Sequence, residues 1–122
     1  MPDTSEAKIM VQRYLSYRVS GSEEDFDAWM TFNQLVMDHP RDAWPVVVLA
    51  VESATDDLAL AYVAAGVLET FIARHAPEML EEVVGSLGGS AKLRKAMRYV
   101  WTKADEWPIE ARIKIRNALD PR

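Results

Sequence analysis

The sequence predicts an all-α fold, a compact stack of about six to seven helices joined in antiparallel hairpins, as one domain over residues 1–122. Three observations predict it. Apolar residues recur three and four apart along nearly the whole chain. Helix starts and stops alternate, with Ser22, Asp56 and Ser90 ahead of periodic segments and Gly21, His39-Pro40, Gly88-Gly89 and Trp107-Pro108 after them. Only Val46–Val51 has the composition of a strand, and no second such segment exists to pair with it.

Thr4 or Ser5 opens the first helix, whose Ile9, Val11, Tyr14 and Leu15 are expected inward, and Gly21 stands near its end. Ser22-Glu23-Glu24-Asp25 starts the second, with acids in the first turn where the helix dipole favours them. Phe26, Trp29, Met30, Phe32 and Val36 form its expected stripe. His39-Pro40 ends that helix, and Pro40 suits the first turn of the next. Pro45 is awkward for a long helix unless it too lies in that first turn, where its missing N–H costs little. Asp56-Asp57 then caps an apolar helix that is expected to run to His75, and Ala76-Pro77-Glu78 to restart the chain with Met79, Leu80, Val83, Val84 and Leu87 inward. Ser90 caps a helix with Leu93, Ala96, Met97, Val100 and Trp101 inward. After Trp107-Pro108, Ile109, Ile113, Arg116 and Asn117 lead to Leu119, and Asp120-Pro121 ends the fold.

A weak repeat lies within this order. Thr31-Phe32 leads to His39-Pro40, and Thr70-Phe71 leads to His75-Ala76-Pro77, with offsets of 36 between the histidines and 39 between the phenylalanines. Helical-hairpin repeats have periods of this size, so the expected stack is HEAT-like.

A chain of 122 residues with 49% apolar content can bury a real core without staples. The absence of cysteine excludes disulfides, thiol catalysis and zinc–thiolate sites, and it fits a cytoplasmic location. The N-terminus has no secretory pattern, and the longest apolar run is interrupted at Asp57 and Glu69, so no membrane span is expected. Residues 1–90 carry 15 acidic and 5 basic side chains, whereas residues 91–122 carry 4 and 9. Two readings of this asymmetry stay open: a dipolar surface that steers a charged partner, and solvated helix faces sorted along the chain.

Glu69 is the sharpest local feature. It stands inside the apolar run from Leu58 to Ala73, where an ionised group needs water, a counter-charge or hydrogen bonds. Helical spacing places Tyr62, Ala65, Gly66 and Ala73 on its face, a strip of small residues beside one acid. The structural reading pairs Glu69 with a helix N-terminus, a Trp indole or an Arg; the functional one puts it at the floor of a groove with Tyr62, Gly66 and His75.

Other chemistries find less support. His39 and His75 are expected at helix C-termini, and no partner stands at metal-ligand spacing, so neither a metal nor a cofactor is expected. No nucleophile elbow, matched triad or phosphate loop is present, so no catalytic residue is assigned. Trp29, Trp44, Trp101 and Trp107 read as packing residues rather than a ligand cage. Lys92, Arg94, Lys95, Arg98 and Lys103 form a basic cluster, but a pI near 5.0 argues against nucleic acid and for a solvated face or pairing with N-terminal acids.

Three stretches together carry a resemblance. Ala65-Gly66-Val67-Leu68-Glu69 with His75 is similar to a Gly-Ala-Gly-Pro-Leu-Glu core followed by His, Leu93 to Trp101 is similar to Phe-Arg-x-Ala-Leu-x-x-Val-Trp, and Ala43-Trp44 after Pro40 is similar to Pro-Glu-x-Ala-Trp. Over roughly residues 26–107 the chain thus resembles a bacterial domain-of-unknown-function family. It departs from that pattern with Ala64 for the first Gly, Val67 for the Pro and Ala76 for the Gly after the His, so a break at Gly66 is optional here. The resemblance implies an all-helical bacterial domain and no activity.

Three functions remain. The expected one is a small soluble protein-binding module, for instance an immunity-type inhibitor, presenting Glu23, Glu24, Asp56, Asp57, Glu78, Glu81 and Glu82 to a basic protein partner. The alternative is a small-molecule-binding or enzymatic domain using the Glu69 groove. The third is a structural homo-oligomer formed through the small-residue face between Tyr62 and Ala73.

Overall fold

The computed structural model describes residues 3–120, and they are all-α. Helix α1 spans Thr4–Ser20, α2 Glu23–Asp38, α3 Pro40–Ser53, α4 Asp57–Val63, α5 Glu69–Gly89, α6 Ala91–Val100 and α7 Ile109–Leu119. A π-helical segment, Ala64–Leu68, joins α4 to α5 without a break, and a 3₁₀ segment, Trp101–Glu106, follows α6.

The starts follow local cap chemistry. Asp3 caps α1 in a capping box with Glu6, and Ser22, Asp56 and Ser90 accept from the N–H groups of Asp25, Ala59 and Leu93. Gly21 ends α1 at φ 59, a left-handed conformation that suits glycine.

The continuous run Asp57–Gly89 is the axis of the core. Val63, Ala64, Val67, Leu68, Phe71, Ile72, Ala76, Met79, Val83 and Leu87 along it are buried. Helices α1 and α2 pair as a hairpin, α3 packs on α1, α5 and α6, α6 lies against the π segment, and α7 packs on α5. Trp44 contacts Phe71 with ring centroids 4.9 Å apart and donates its indole N–H to Ser86 at 2.9 Å, while Trp101 and Trp107 meet edge to face at 5.6 Å. These three tryptophans pack as expected.

Several details differ from the sequence reading. The helix does not stop at His75: it continues through Pro77 to Gly89, because Phe71, Ile72, His75, Ala76, Met79, Leu80, Val83 and Leu87 form one stripe that a restart would misalign. Pro45 is likewise inside α3 and beyond its first turn. Both prolines are exposed, as are Arg41 and Ala73 four residues back, so the carbonyls that lose an N–H partner lie on the wet side. Pro40 therefore opens a helix while Pro77 is interior to one, and the two halves of the repeat are not equivalent there.

Three stripes are also rotated. Ile9, Phe26 and Met30 are exposed rather than inward, and α7 buries Ala111, Ile115 and Leu119 while Ile109 is 65% and Ile113 46% exposed. By length and composition Asp57–Gly89, 33 residues with a mean hydropathy of 1.2 in its most apolar window, is also enough to cross a membrane, contrary to the sequence expectation. Half of that window is buried inside the fold, the pattern of a core helix.

Candidate functional site

The four residues expected to share a groove do not do so, and the π segment is the cause. A π-bulge holds one extra residue, which turns everything after it by about 100° relative to an unbroken α-helix. Tyr62, before the bulge, packs on α1, its ring centroid 5.1 Å from that of Tyr14. Glu69, after the bulge, faces a shallow open depression of about 460 Å³ lined by Met37, Ala65, Thr70, Ala73 and Arg74. The small-residue face is split in the same way, since Ala65 and Ala73 are exposed while Gly66 lies under the Tyr14 hydroxyl.

Among the described residues no hydrogen bond or ion pair reaches the Glu69 carboxylate, so the expected pairing with a helix end, an indole or an Arg is replaced by partial hydration. Substituting Glu69→Gln is therefore expected to change stability by less than about 0.5 kcal/mol, as measured by urea unfolding. A larger loss shows that the carboxylate has a partner.

Gly66 is where the helix departs from regular geometry, with φ −95 and ψ −105. No proline is needed for this interruption, which occurs with Val67 in the next position. A Cβ on Gly66 would lie 2.5 Å from the Tyr14 hydroxyl. That hydroxyl accepts a hydrogen bond from the Val67 backbone, in the peptide that Gly66 tips out of line. Burial, with Tyr62 alongside, pushes the Tyr14 phenol far above its ordinary value despite that bond. Tyr62 is also raised, first by burial and then by Tyr17, with Arg18 and the Trp29 indole opposing. Its hydroxyl is buried and makes no well-formed hydrogen bond.

His75 is not at a helix end but buried in mid-α5, 5% exposed. Its Nε2–H donates to the Val36 carbonyl at 2.6 Å, and Nδ1 lies 3.2 Å from Glu78 Oε1. Next to it, Arg74 Nε donates to the Met37 carbonyl at 3.0 Å. Val36 and Met37 are in the last turn of α2, where carbonyls have no partner within the helix. Helix α5 thus closes the end of α2.

The basic cluster of α6 has the same occupation. Lys92 Nζ bonds the Glu52 carbonyl at the end of α3, Arg94 bonds that of Leu87 at the end of α5, and Arg98 bonds that of Leu119 at the end of α7. Lys95 bonds the Asp57 carboxylate at 2.7 Å, in the first turn of α4, and this contact raises the lysine above its ordinary value. Cations at helix C-termini are favoured by the dipole and satisfy orphan carbonyls. The cluster therefore serves the fold, as the expectation of pairing with N-terminal acids anticipated for Lys95.

The acids expected to face a partner are dispersed. Glu24 pairs with Arg13 at 3.3 Å, Asp56 with Arg18 at 3.9 Å and Glu82 with Arg41 at 3.7 Å, and Asp57 holds Lys95. Glu78, Glu81 and Glu82 lie in the middle of α5 rather than in a first turn. Exposed pairs of this kind contribute little to stability. Of the seven, Glu23 and Glu81 have no polar partner among the described residues.

A groove that the sequence reading missed runs between α1 and α2. Two depressions, of about 560 and 360 Å³, share Glu6, Met10 and Thr31. The first continues over Met30, Gln34, Leu35 and His39, and the second over Ile9, Arg13, Glu24, Asp27 and Ala28. Its floor is apolar, with Ile9 57% and Met30 50% exposed. Helix α2 carries Glu23, Glu24, Asp25, Asp27 and Asp38 and neither Lys nor Arg. The signal for it was in α1, where Ala7, Val11 and Tyr14 fill one face and Ile9 and Met10 add apolar surface outside it. Among the described residues no group of His, Asp and Glu is placed to hold a metal ion.

A family model described as a family of unknown function (DUF6869) matches residues 18–118, a wider span than the resemblance in the motifs. Comparison with curated proteins and with solved structures gives no match.

Proposed function

We propose that this chain, which belongs to that family of unknown function, is a protein-binding module whose docking surface is the groove between α1 and α2. One observation carries the reading: an apolar floor that includes the exposed Ile9 and Met30 runs beside a helix bearing carboxylates and no cation. Exposed apolar surface with a polar rim is the usual form of a docking site. An inhibitor that masks a basic protein is one form such a module takes. The acidic surface of the sequence reading is thereby narrowed to α2 and its groove.

The test is a photo-crosslinking phenylalanine analogue at Met30 in the native host, with the same group at Tyr99 on α6 as control. A discrete adduct from position 30, absent from position 99 and removed by Ile9→Glu, is the expected result. No adduct from position 30, or the same adducts from both positions, overturns the reading.

A further inference from the structure

We propose that the occupant of this groove is a basic amphipathic helix of a partner protein, about four turns long. The inference rests on the docking reading above and names the partner's chemistry.

The first argument is backbone geometry. A strand-like peptide docks on a sheet edge and a polyproline helix on aromatic side chains; the described residues contain no strand, and no Phe, Tyr or Trp lines the groove. A groove between two paired helices instead accepts the ridge of a third helix. The lining residues run from Glu24 to His39 along α2, which at 1.5 Å per residue is about 22 Å, or four helical turns.

The second argument is the floor. Met10 and Met30, flexible and polarisable, stand with the more rigid Ile9, Ala28 and Leu35. Such a surface moulds to a stripe of apolar side chains at helical spacing and does not demand one shape.

The third argument is charge. The Asp27 carboxylate has no partner among the described residues. Glu24 is held only by Arg13, in a pair with side chains 46% and 78% exposed, which an incoming cation can exchange. A helix with Lys or Arg flanking its apolar stripe matches this wall, and an acidic one is repelled.

A second copy of the chain offers α7, with Ile109, Ile113 and Arg116 outward. That helix has 11 residues, about 16 Å, and is shorter than the groove. The observations therefore favour a separate protein.

The experiment uses the full chain with ¹³C-methyl methionine and three 15-residue peptides. One has Leu on a single helical stripe and Lys elsewhere, one replaces every Lys with Glu, and one scrambles the Leu/Lys order so that no stripe forms. The Leu/Lys helix is expected to shift the Met10 and Met30 methyl signals and leave those of Met37, Met79 and Met97 in place. Its Kd is expected to be at least about tenfold lower than that of either control peptide, and to rise at least about tenfold in an Asp27→Lys, Glu24→Lys chain, equivalent to about 1.4 kcal/mol. Equal binding of the Leu/Glu peptide, or shifts confined to other methionines, overturns the proposal. So do Met10 and Met30 shifts that follow protein concentration alone, which assign the groove to a second copy. If the Met30 adduct forms but the Leu/Lys helix does not bind, the partner class is wrong and the docking surface stands. If both fail, the docking reading falls as well.

Discussion

Gly66→Ala is expected to destabilise the protein by about 2–3 kcal/mol, with a fall in Tm of roughly 10 °C. The added Cβ would sit 2.5 Å from the Tyr14 hydroxyl, and Tyr14 is buried to 1% exposure, wedged against the rings of Phe32 and Tyr62. The phenol therefore has nowhere to retreat. In a helix interior alanine is ordinarily better than glycine by about 1 kcal/mol, so the sign of the effect is itself diagnostic. Tyr14→Phe removes the obstructing oxygen, and the next atom, Tyr14 Cζ, lies at an ordinary 3.8 Å. That change alone is expected to cost about 1–2 kcal/mol, because the Val67 backbone loses its acceptor. In the Tyr14→Phe background Gly66→Ala is expected to cost less than about 1 kcal/mol. The double-mutant cycle by urea unfolding checks this, and equal costs in both backgrounds refute the wedge.

The second large effect is expected at His75. His75→Leu keeps the volume apolar but strands the Val36 carbonyl in a buried place without its 2.6 Å donor. An unsatisfied buried acceptor costs about 1–3 kcal/mol, and the aromatic contact with Phe71, at 5.2 Å between ring centroids, is lost as well. A loss of about 2–3 kcal/mol is expected, with faster amide exchange confined at first to the last turn of α2. Arg74→Met, which removes the donor to the neighbouring Met37 carbonyl at an exposed position, is expected to cost less than about 1 kcal/mol. If His75→Leu is no worse than Arg74→Met, the buried bond is not what fixes the end of α2.

What could be read from the sequence was what is decided locally. Ser22, Asp56 and Ser90 cap their helices as their types suggest, because a cap needs only its own side chain and an N–H three residues on. Pro77 misled because a proline inside a helix is tolerated where the freed carbonyl reaches water, and exposure at Ala73 is a tertiary fact. On α7 two stripes competed, and what α5 offers as a partner selected Ala111, Ile115 and Leu119 over Ile109 and Ile113. Tyr62 and Glu69 are two α-helical turns apart, which on an unbroken helix is one face; one extra residue at the π segment separates them, and only Gly66 hints at it. The groove is illegible in the sequence for a related reason: helical spacing puts Ile9 and Met30 on the core stripes, and only packing turns them outward.

The cations of α6 carry a consequence for how the chain matures. Lys92, Lys95, Arg94 and Arg98 hold ends of α3, α4, α5 and α7 respectively, so a single ten-residue helix late in the chain acts as a keystone for four others. A nascent chain that has not yet delivered residue 91 has its acidic excess in place and lacks these bonds to α3, α4 and α5. Completion of the fold is thereby deferred until residues 91–100 are made, when their side chains add bonds to three earlier helices.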